Sequence, residues 1–270
     1  MTIVYLCSIL ATMSNEYKTK INKLVSSWPR GTIAAASYLE KQGYSHNLLT
    51  RYKKSKWIKS FGRGAYKLFK DNIEWQGTIY TLQNQLNLNF HPGGKTALEI
   101  KGHAHYLSKT KKIFLFGIRG QTIPTWFLTN KTDVDFVITK TNLFPPYIRN
   151  SLSIHKYGDF SIKISSLERA AMEMLYHVPT KVSFEEAALI TENLVSLRPG
   201  LVQNLLENCK SIKVKRLFMY LVEKHEHPWI PKIDLSNVYF GEGKRSIVQN
   251  GKLDKKYLIT VPLELNETAP

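Results

Sequence analysis

The chain has 270 residues, 43% of them hydrophobic and 22% charged, which provides a buried core for one large domain or two modest ones and excludes wholesale disorder and a collagen-like architecture. Its two cysteines, Cys7 and Cys209, exclude a disulfide framework and a multi-cysteine zinc site, and a reducing cytoplasm is the expected setting. The formal charge of +17 is uneven, at +9 over residues 1–90, +7 over 91–165 and +1 over 166–270, so the first two-thirds call for a polyanionic partner, the plainer alternative being a solvated basic surface.

The apolar stretch Ile3 to Ala11 is about half the ~20 residues a membrane span needs. It also lacks the basic start and small-residue cleavage site of a signal peptide, so no membrane partner is expected. Met13 and the polar run Ser14-Asn15-Glu16 look like an ordinary N-terminus. Translation is expected to begin at Met13, with 1–13 a non-native or flexible extension; the alternative is a short strand or helix turn packed on the body.

From Glu16 the pattern is helical, with Ile21, Leu24 and Val25 on one face until Trp28-Pro29 stops it. A second helix is expected from Thr32, as cap, to Gln42, burying Ala35, Leu39 and Tyr38. Gly43 stands where a helix end takes a left-handed residue. Ser45 then caps a third helix to about Ser55, with Leu48, Leu49 and Tyr52 inward and Asn47, Thr50, Arg51 and Lys54 opposite. Two alternating runs between Trp57 and Leu68 flank Gly62-Arg63-Gly64 and predict a β-hairpin. Helix, helix, tight turn, helix and hairpin make a winged helix-turn-helix. A helix from about Thr78 to Leu86 closes this domain, assigned to residues 14–90.

After His91-Pro92-Gly93-Gly94 the rhythm turns to strands, expected at Ile113–Ile118, Thr125–Leu128, Val134–Thr139 and Phe160–Ile164. Helices return at Ser165, whose spacing to Glu168 reads as a capping box; Ser183 with Glu186 repeats it, and a third amphipathic helix starts near Ser211. The tail from Ile233 to Pro262 reads as extended and turn-rich. Residues 91–270 are assigned to one further domain, strand-rich over 91–165, helical over 166–228 and extended from 229, because a strand-rich stretch without sheet partners is unstable alone. The expected class is α+β: an N-terminal winged helix-turn-helix followed by a mixed α/β C-terminal domain.

Residues 45–70 hold eight Lys or Arg and no acid. A helix-turn-helix lays its last helix in the major groove of double-stranded DNA, so Ser45, His46, Asn47, Thr50 and Arg51 are the groove candidates. Asn47 suits adenine and Arg51 guanine, each bidentate pair giving about 1–3 kcal/mol of discrimination. Lys53, Lys54, Lys56 and Lys59 would neutralise phosphates, Lys67 lies on the same hairpin, and Arg63 at its tip suits the minor groove or the backbone. The structural alternative is a protein-docking module with a basic face.

Asp133 and Asp135 share one face of an expected strand and could hold Mg²⁺ for nucleotidyl transfer; the alternative is an ordinary strand start. The Gly-Ser turn that such enzymes carry some residues earlier is missing, since Gly117 and Gly120 have no serine beside them. His103 with His105, and His225 with His227, lack metal-site spacing and read as packing or surface residues. Gly241-Glu242-Gly243-Lys244-Arg245 is a basic turn rather than a phosphate loop. No catalytic constellation, metal or cofactor is expected.

The chain resembles the AbiEi family of antitoxins from type IV, abortive-infection toxin–antitoxin systems. In the N-terminal part the likeness lies in Gly43-Tyr44-Ser45, Leu49, Tyr52, Trp57 and Gly62-Arg63-Gly64-Ala65-Tyr66, a set shared with many winged helices. The more specific part lies in Ser166-Leu167-Glu168-Arg169-Ala170, Val214-Lys215-Arg216-Leu217-Phe218, His227-Pro228-Trp229, Gly243-Lys244-Arg245 and Tyr257 to Pro262. The resemblance implies a non-enzymatic cytoplasmic protein made beside a nucleotidyltransferase-like toxin. It would repress its own operon, at inverted repeats, through the first domain and counter the toxin through the second. Arg169, Lys215, Arg216, Lys244 and Arg245 are the polar residues in the family-like motifs and the candidates for antitoxin function, the alternative for Arg169 being a structural anchor of its helix.

Overall fold

In the computed structural model, residues 19–104, 111–129 and 133–263 are described. The readings of residues 1–13, of a start at Met13 and of His105 fall outside them. The chain divides into two compact units. The first runs through Leu88 and takes in the described parts of Thr122–Thr132 and Lys156–Ile162; the second comprises Asn89–Gln121, Asp133–His155 and the chain from Lys163 onward.

The first unit begins with α1 (19–27), then β1 (Ile33–Ala35), α2 (Ala36–Lys41), α3 (His46–Lys54), β2 (Ile58–Gly62) and β3 (Ala65–Leu68). β3 pairs antiparallel with both β1 and β2, giving the sheet order β1-β3-β2 of a winged helix. The core joins Leu24, Trp28, Ala34, Leu39, Leu48, Leu49, Tyr52, Ile58 and Leu68 from all these elements. The helix expected from Thr32 is thus a strand for its first residues. Ile33-Ala34-Ala35 is wholly buried, and β3 pairs with it on one edge. On that strand the Gln85 side chain accepts from Ala35 N–H at 2.9 Å and donates to Ile33 O at 3.0 Å. These partners come from 30 and 50 residues away, and they override the local helical reading.

α4 (Trp75–Tyr80) starts earlier than expected and continues as a π-helical turn over Thr81–Gln85. In the second unit come β4 (His91–Pro92), α5 (Gly94–Ile100) and β5 (Lys111–Gly117). α6 (Thr125–Thr129) follows and belongs to the first unit. It corrects the strand expected at Thr125–Leu128. Phe127 N–H closes a turn on Pro124 O at 3.0 Å, a local helical bond that a strand cannot make, and Trp126 and Phe127 are both buried.

β6 (Val134–Lys140) runs parallel to β5, and β4 antiparallel to it, in the order β4-β5-β6. Ile113 to Phe116 form a continuous buried run, as suits a strand covered on both faces. β7 (Leu152–Tyr157) and β8 (Phe160–Ser165) pair with each other. The helices are α7 (Leu167–Tyr176), α8 (Phe184–Glu192), α9 (Pro199–Asn208) and α10 (Ile212–Lys224). A 3₁₀ turn at Ile230–Lys232 leads to a small sheet of β9 (Arg245–Ser246), β10 (Lys252–Asp254) and β11 (Ile259–Val261) in the order β10-β11-β9. The fold class is α+β, a winged helix followed by a mixed α/β part.

The expected cap Ser183 accepts from Glu186 N–H at 3.0 Å, and Ser211, near which a helix start is expected, caps α10 by accepting from Val214 N–H at 3.3 Å. The expected capping box at Ser165 moves by one residue. Ser166 caps α7 by accepting from Arg169 N–H, and Glu168 instead receives Arg198. Ser165 is committed elsewhere, to Glu173 at 2.6 Å.

Candidate nucleic-acid interface

The approach to α3 is set by a tight turn. Gly43 takes φ +86, the left-handed region that a Cβ disfavours, and Tyr44 N–H bonds back to Leu39 O at 3.0 Å. Ser45 follows in extended conformation and its hydroxyl accepts from Leu48 N–H at 3.4 Å. Leu48, Leu49 and Tyr52 then face the core, which turns Ser45, His46, Asn47, Arg51, Lys53 and Lys54 outward, with Thr50 half-buried at the margin. Lys56 terminates the helix at φ +56, and it too is exposed.

The wing is the β2–β3 hairpin. Its turn is Arg63-Gly64, with Gly64 at φ +80 and Arg63 exposed at the tip. Lys59 is exposed on β2 and directly opposite Lys67 on β3. Like charges so placed repel. Lys67 turns away, donating from Nζ to Asp71 O at 2.6 Å, so it also secures the strand's exit. The eleven residues expected to face DNA therefore all lie on one helix, its cap and its wing, ten of them on exposed or marginal positions and Lys67 engaged locally.

The candidates for antitoxin function fall in two places within the second unit. Arg216 on α10 is fully buried, and its guanidinium gathers the carbonyls of Phe240, Gly241, Gly243 and Leu258, tying the tail to the helix. Lys215 is also buried, with Nζ 5.8 Å over the Tyr239 ring. Burial pushes its amine down. Lys244 and Arg245 leave that same pinned loop and are exposed, as is Tyr239 at 70%. Arg169 belongs to a different cluster.

That cluster was not anticipated. Glu173 on α7, 1% exposed, accepts from Arg169 Nε at 2.7 Å and from His91 Nε2 at 3.0 Å on one oxygen. Its other oxygen takes Ser165 Oγ at 2.6 Å and Gly94 N–H at 3.1 Å. Burial alone would raise this carboxyl; Arg169 and then His91 outweigh it and hold it at about 2. An ionised carboxylate only accepts, so His91 presents Nε2–H to it. A Cβ on Gly93 would lie 2.1 Å from Glu173 Oε2, which explains the small residue at that approach. The spacing of Arg169 to Glu173, one helical turn, was the available signal.

Nearby, His177 bonds Thr139 Oγ1 at 2.9 Å, and burial, then Lys181 and Lys213, lower its imidazole to about 4. Between pH 6.5 and 4 the unfolded chain therefore binds a proton that the folded chain refuses, and stability falls as pH falls through that window. Below about 4.5, protonation of Glu173 in the unfolded state adds a second loss down to about 2. Thermal unfolding should show Tm dropping from pH 6.5 downward, with His177→Gln flattening the limb above pH 4.5. An unchanged limb in that variant would refute the assignment to His177.

Asp133 and Asp135 are both exposed. Among the described residues no group of three His, Cys, Asp or Glu is arranged to hold a metal ion. His225 and His227 lie ring to ring, and His227 Nε2 meets Thr191 O at 3.0 Å, a packing arrangement. Among the described residues no helix is long and apolar enough to cross a membrane.

Comparison with known proteins covers nearly the whole chain. The family described as "Transcriptional regulator, AbiEi antitoxin, Type IV TA system" matches residues 110–262, and the corresponding N-terminal domain family matches 17–109. No curated protein matches the chain. Among solved structures, the crystal structure of the RV2827C protein from Mycobacterium tuberculosis is similar at a TM-score of 0.58 over 88% of each chain, with 11% identity, a likeness of fold.

Proposed function

The chain belongs to the AbiEi-antitoxin transcriptional regulators of type IV toxin–antitoxin systems, and from that premise we propose that it represses its own operon by winged-helix binding to double-stranded DNA and counters a nucleotidyltransferase-like toxin. The observation that carries the first half is the α3 face. Cations at Arg51, Lys53, Lys54 and Lys56 stand exposed beside Lys59 and Arg63 of the wing, with no acid between residues 45 and 70. Such a face neutralises phosphates while the helix presents Asn47 and Arg51 to base edges. Residues 14–90 are the DNA-binding part, and an operator with inverted repeats would seat two copies. The site of action is the cytoplasm, with no cofactor and no catalytic step.

For the second half, residues 91–270 are the antitoxin part. Lys244 and Arg245, on the loop that Arg216 pins from beneath, are its exposed polar candidates. Arg216, Lys215 and Arg169 act there by holding structure.

The test is a two-readout assay in cells, with a reporter driven by the region upstream of this reading frame and survival upon expression of the neighbouring toxin. Lys53→Gln/Lys54→Gln/Lys56→Gln should release the reporter and leave survival intact. Lys244→Ala/Arg245→Ala should do the reverse. Repression unchanged in the triple variant would contradict the DNA-binding half, and survival unchanged in the double variant would remove Lys244 and Arg245 from the antitoxin site.

A further inference from the structure

The wing is held by a helix encoded far from it. α6 has five residues, too few to stand alone as a helix, and it lies in sequence between β5 and β6 of the second unit while grouping with the first. Its Trp126 is 3% exposed. The Trp126 ring meets Phe61 edge-on, at 6.3 Å and 69°. Its backbone sits against Gly62, where a Cβ would come within 2.8 Å of Trp126 Cβ and 3.3 Å of its Cα. Gly62 has no positive φ, unlike Gly64, so close approach rather than backbone conformation calls for glycine here.

The position matters because the β2–β3 register shifts between Ser60 and Gly62, one step before the tip. A ladder interrupted there fixes the tip weakly by itself. Phe61-Gly62 are the last two residues before Arg63, and α6 grips both. We propose that Trp126 is a positioning residue for DNA recognition: through Phe61 and Gly62 it sets the wing so that Arg63 meets the duplex already ordered. Pre-ordering a long cation removes part of the conformational cost of binding. The proposal rests on the DNA-binding reading of the first unit, and it places part of the DNA-binding apparatus outside the first ninety residues.

The experiment uses the full chain and the upstream duplex in a double-variant cycle. Arg63→Ala should weaken binding and lower the salt slope by about 1. Phe61→Leu should weaken binding similarly, although it removes no charge. Adding Arg63→Ala to Phe61→Leu should then cost less than about half the factor it costs in the wild-type, as coupled neighbours do. Amide hydrogen exchange should quicken in β2 and β3 of Phe61→Leu while α3 stays protected. Trp126→Phe should retain more affinity than Trp126→Leu, which separates ring contact from mere filling of space. Additive losses from Phe61→Leu and Arg63→Ala, or faster wing exchange with unchanged affinity, would overturn the proposal alone. A wild-type chain that does not prefer the upstream duplex would overturn it together with the DNA-binding reading.

Discussion

Glu173→Ala is expected to destabilise the second unit by about 3–5 kcal/mol, the usual cost of leaving a buried charge without its partner. Arg169 would keep its guanidinium largely enclosed, with Ser151 Oγ at 3.2 Å and the Phe144 ring at 5.2 Å left to meet it among the described residues. His91 and Ser165 would lose their acceptor, and so would the Gly94 N–H that opens α5. For a unit of this size the loss amounts to about 10 °C in Tm. The contrast that isolates charge is the double variant Arg169→Met/Glu173→Met. It removes both ions, and its cost should be clearly smaller than the sum of the two single losses. Calorimetry reads both. A loss under about 1 kcal/mol for Glu173→Ala would mean that the cluster tolerates an unpaired guanidinium, contrary to its burial.

Arg51→Ala carries the largest expected effect on recognition. Arg51 stands exposed in the last turn of α3, one turn after Asn47, and the residues that seat the helix, Leu48, Leu49 and Tyr52, all lie on the other side. Removing a bidentate contact to guanine costs about 1–3 kcal/mol, or roughly 5- to 150-fold in affinity for the specific duplex. Binding to a scrambled duplex should change far less, since that depends on the phosphate contacts of several lysines. Lys54→Ala supplies the opposite pattern, weakening both duplexes alike and lowering the salt slope by about 1. An Arg51→Ala chain that keeps its preference for the specific duplex would move the reading residue elsewhere on α3.

What the amino-acid order disclosed follows the range of the interactions concerned. α3 was legible because its signals are local. Gly43 and Ser45 mark its start within three residues, and Leu48, Leu49 and Tyr52 define its buried face within one and a half turns. The wing was legible for the same reason, from Gly62-Arg63-Gly64 between two alternating runs. Its basic surface followed from counting charges. β1 was hidden, because Ile33-Ala34-Ala35 becomes a strand only when β3 and Gln85 arrive. The run Thr125–Leu128 reads locally as a strand, and that reading yields to the burial of Trp126 against the wing.

The second unit shows the same division more sharply. The cap at Ser183 is readable three residues ahead of its partner and the helix start near Ser211 from its apolar repeat, whereas Glu173 binds His91 from 82 positions away. His91-Pro92-Gly93-Gly94 read as a break in the pattern. In the fold these residues form β4 and the opening of α5, and their glycines make room for a carboxylate. Arg216 stood out as a polar residue inside a family-like motif, a setting that suggests an exposed functional group. Its four carbonyl acceptors, 24 to 42 residues onward, show a cation used to fasten a loop. Such contacts leave no periodicity to read. The exposed neighbours Lys244 and Arg245 are then the better surface candidates, because a pinned backbone presents them at low entropic cost.

Recognition of the chain's own operator is the central claim, and a salt-dependent titration tests it most directly. The full chain is titrated against duplex DNA from immediately upstream of its reading frame, with a scrambled duplex of equal length as control. A preference of several hundredfold for the upstream duplex, persisting at physiological salt, is the predicted result and lies within the range of sequence-specific repressors. Equal and steeply salt-sensitive binding to both would reduce the +17 charge to a generic polyanion surface and contradict autorepression.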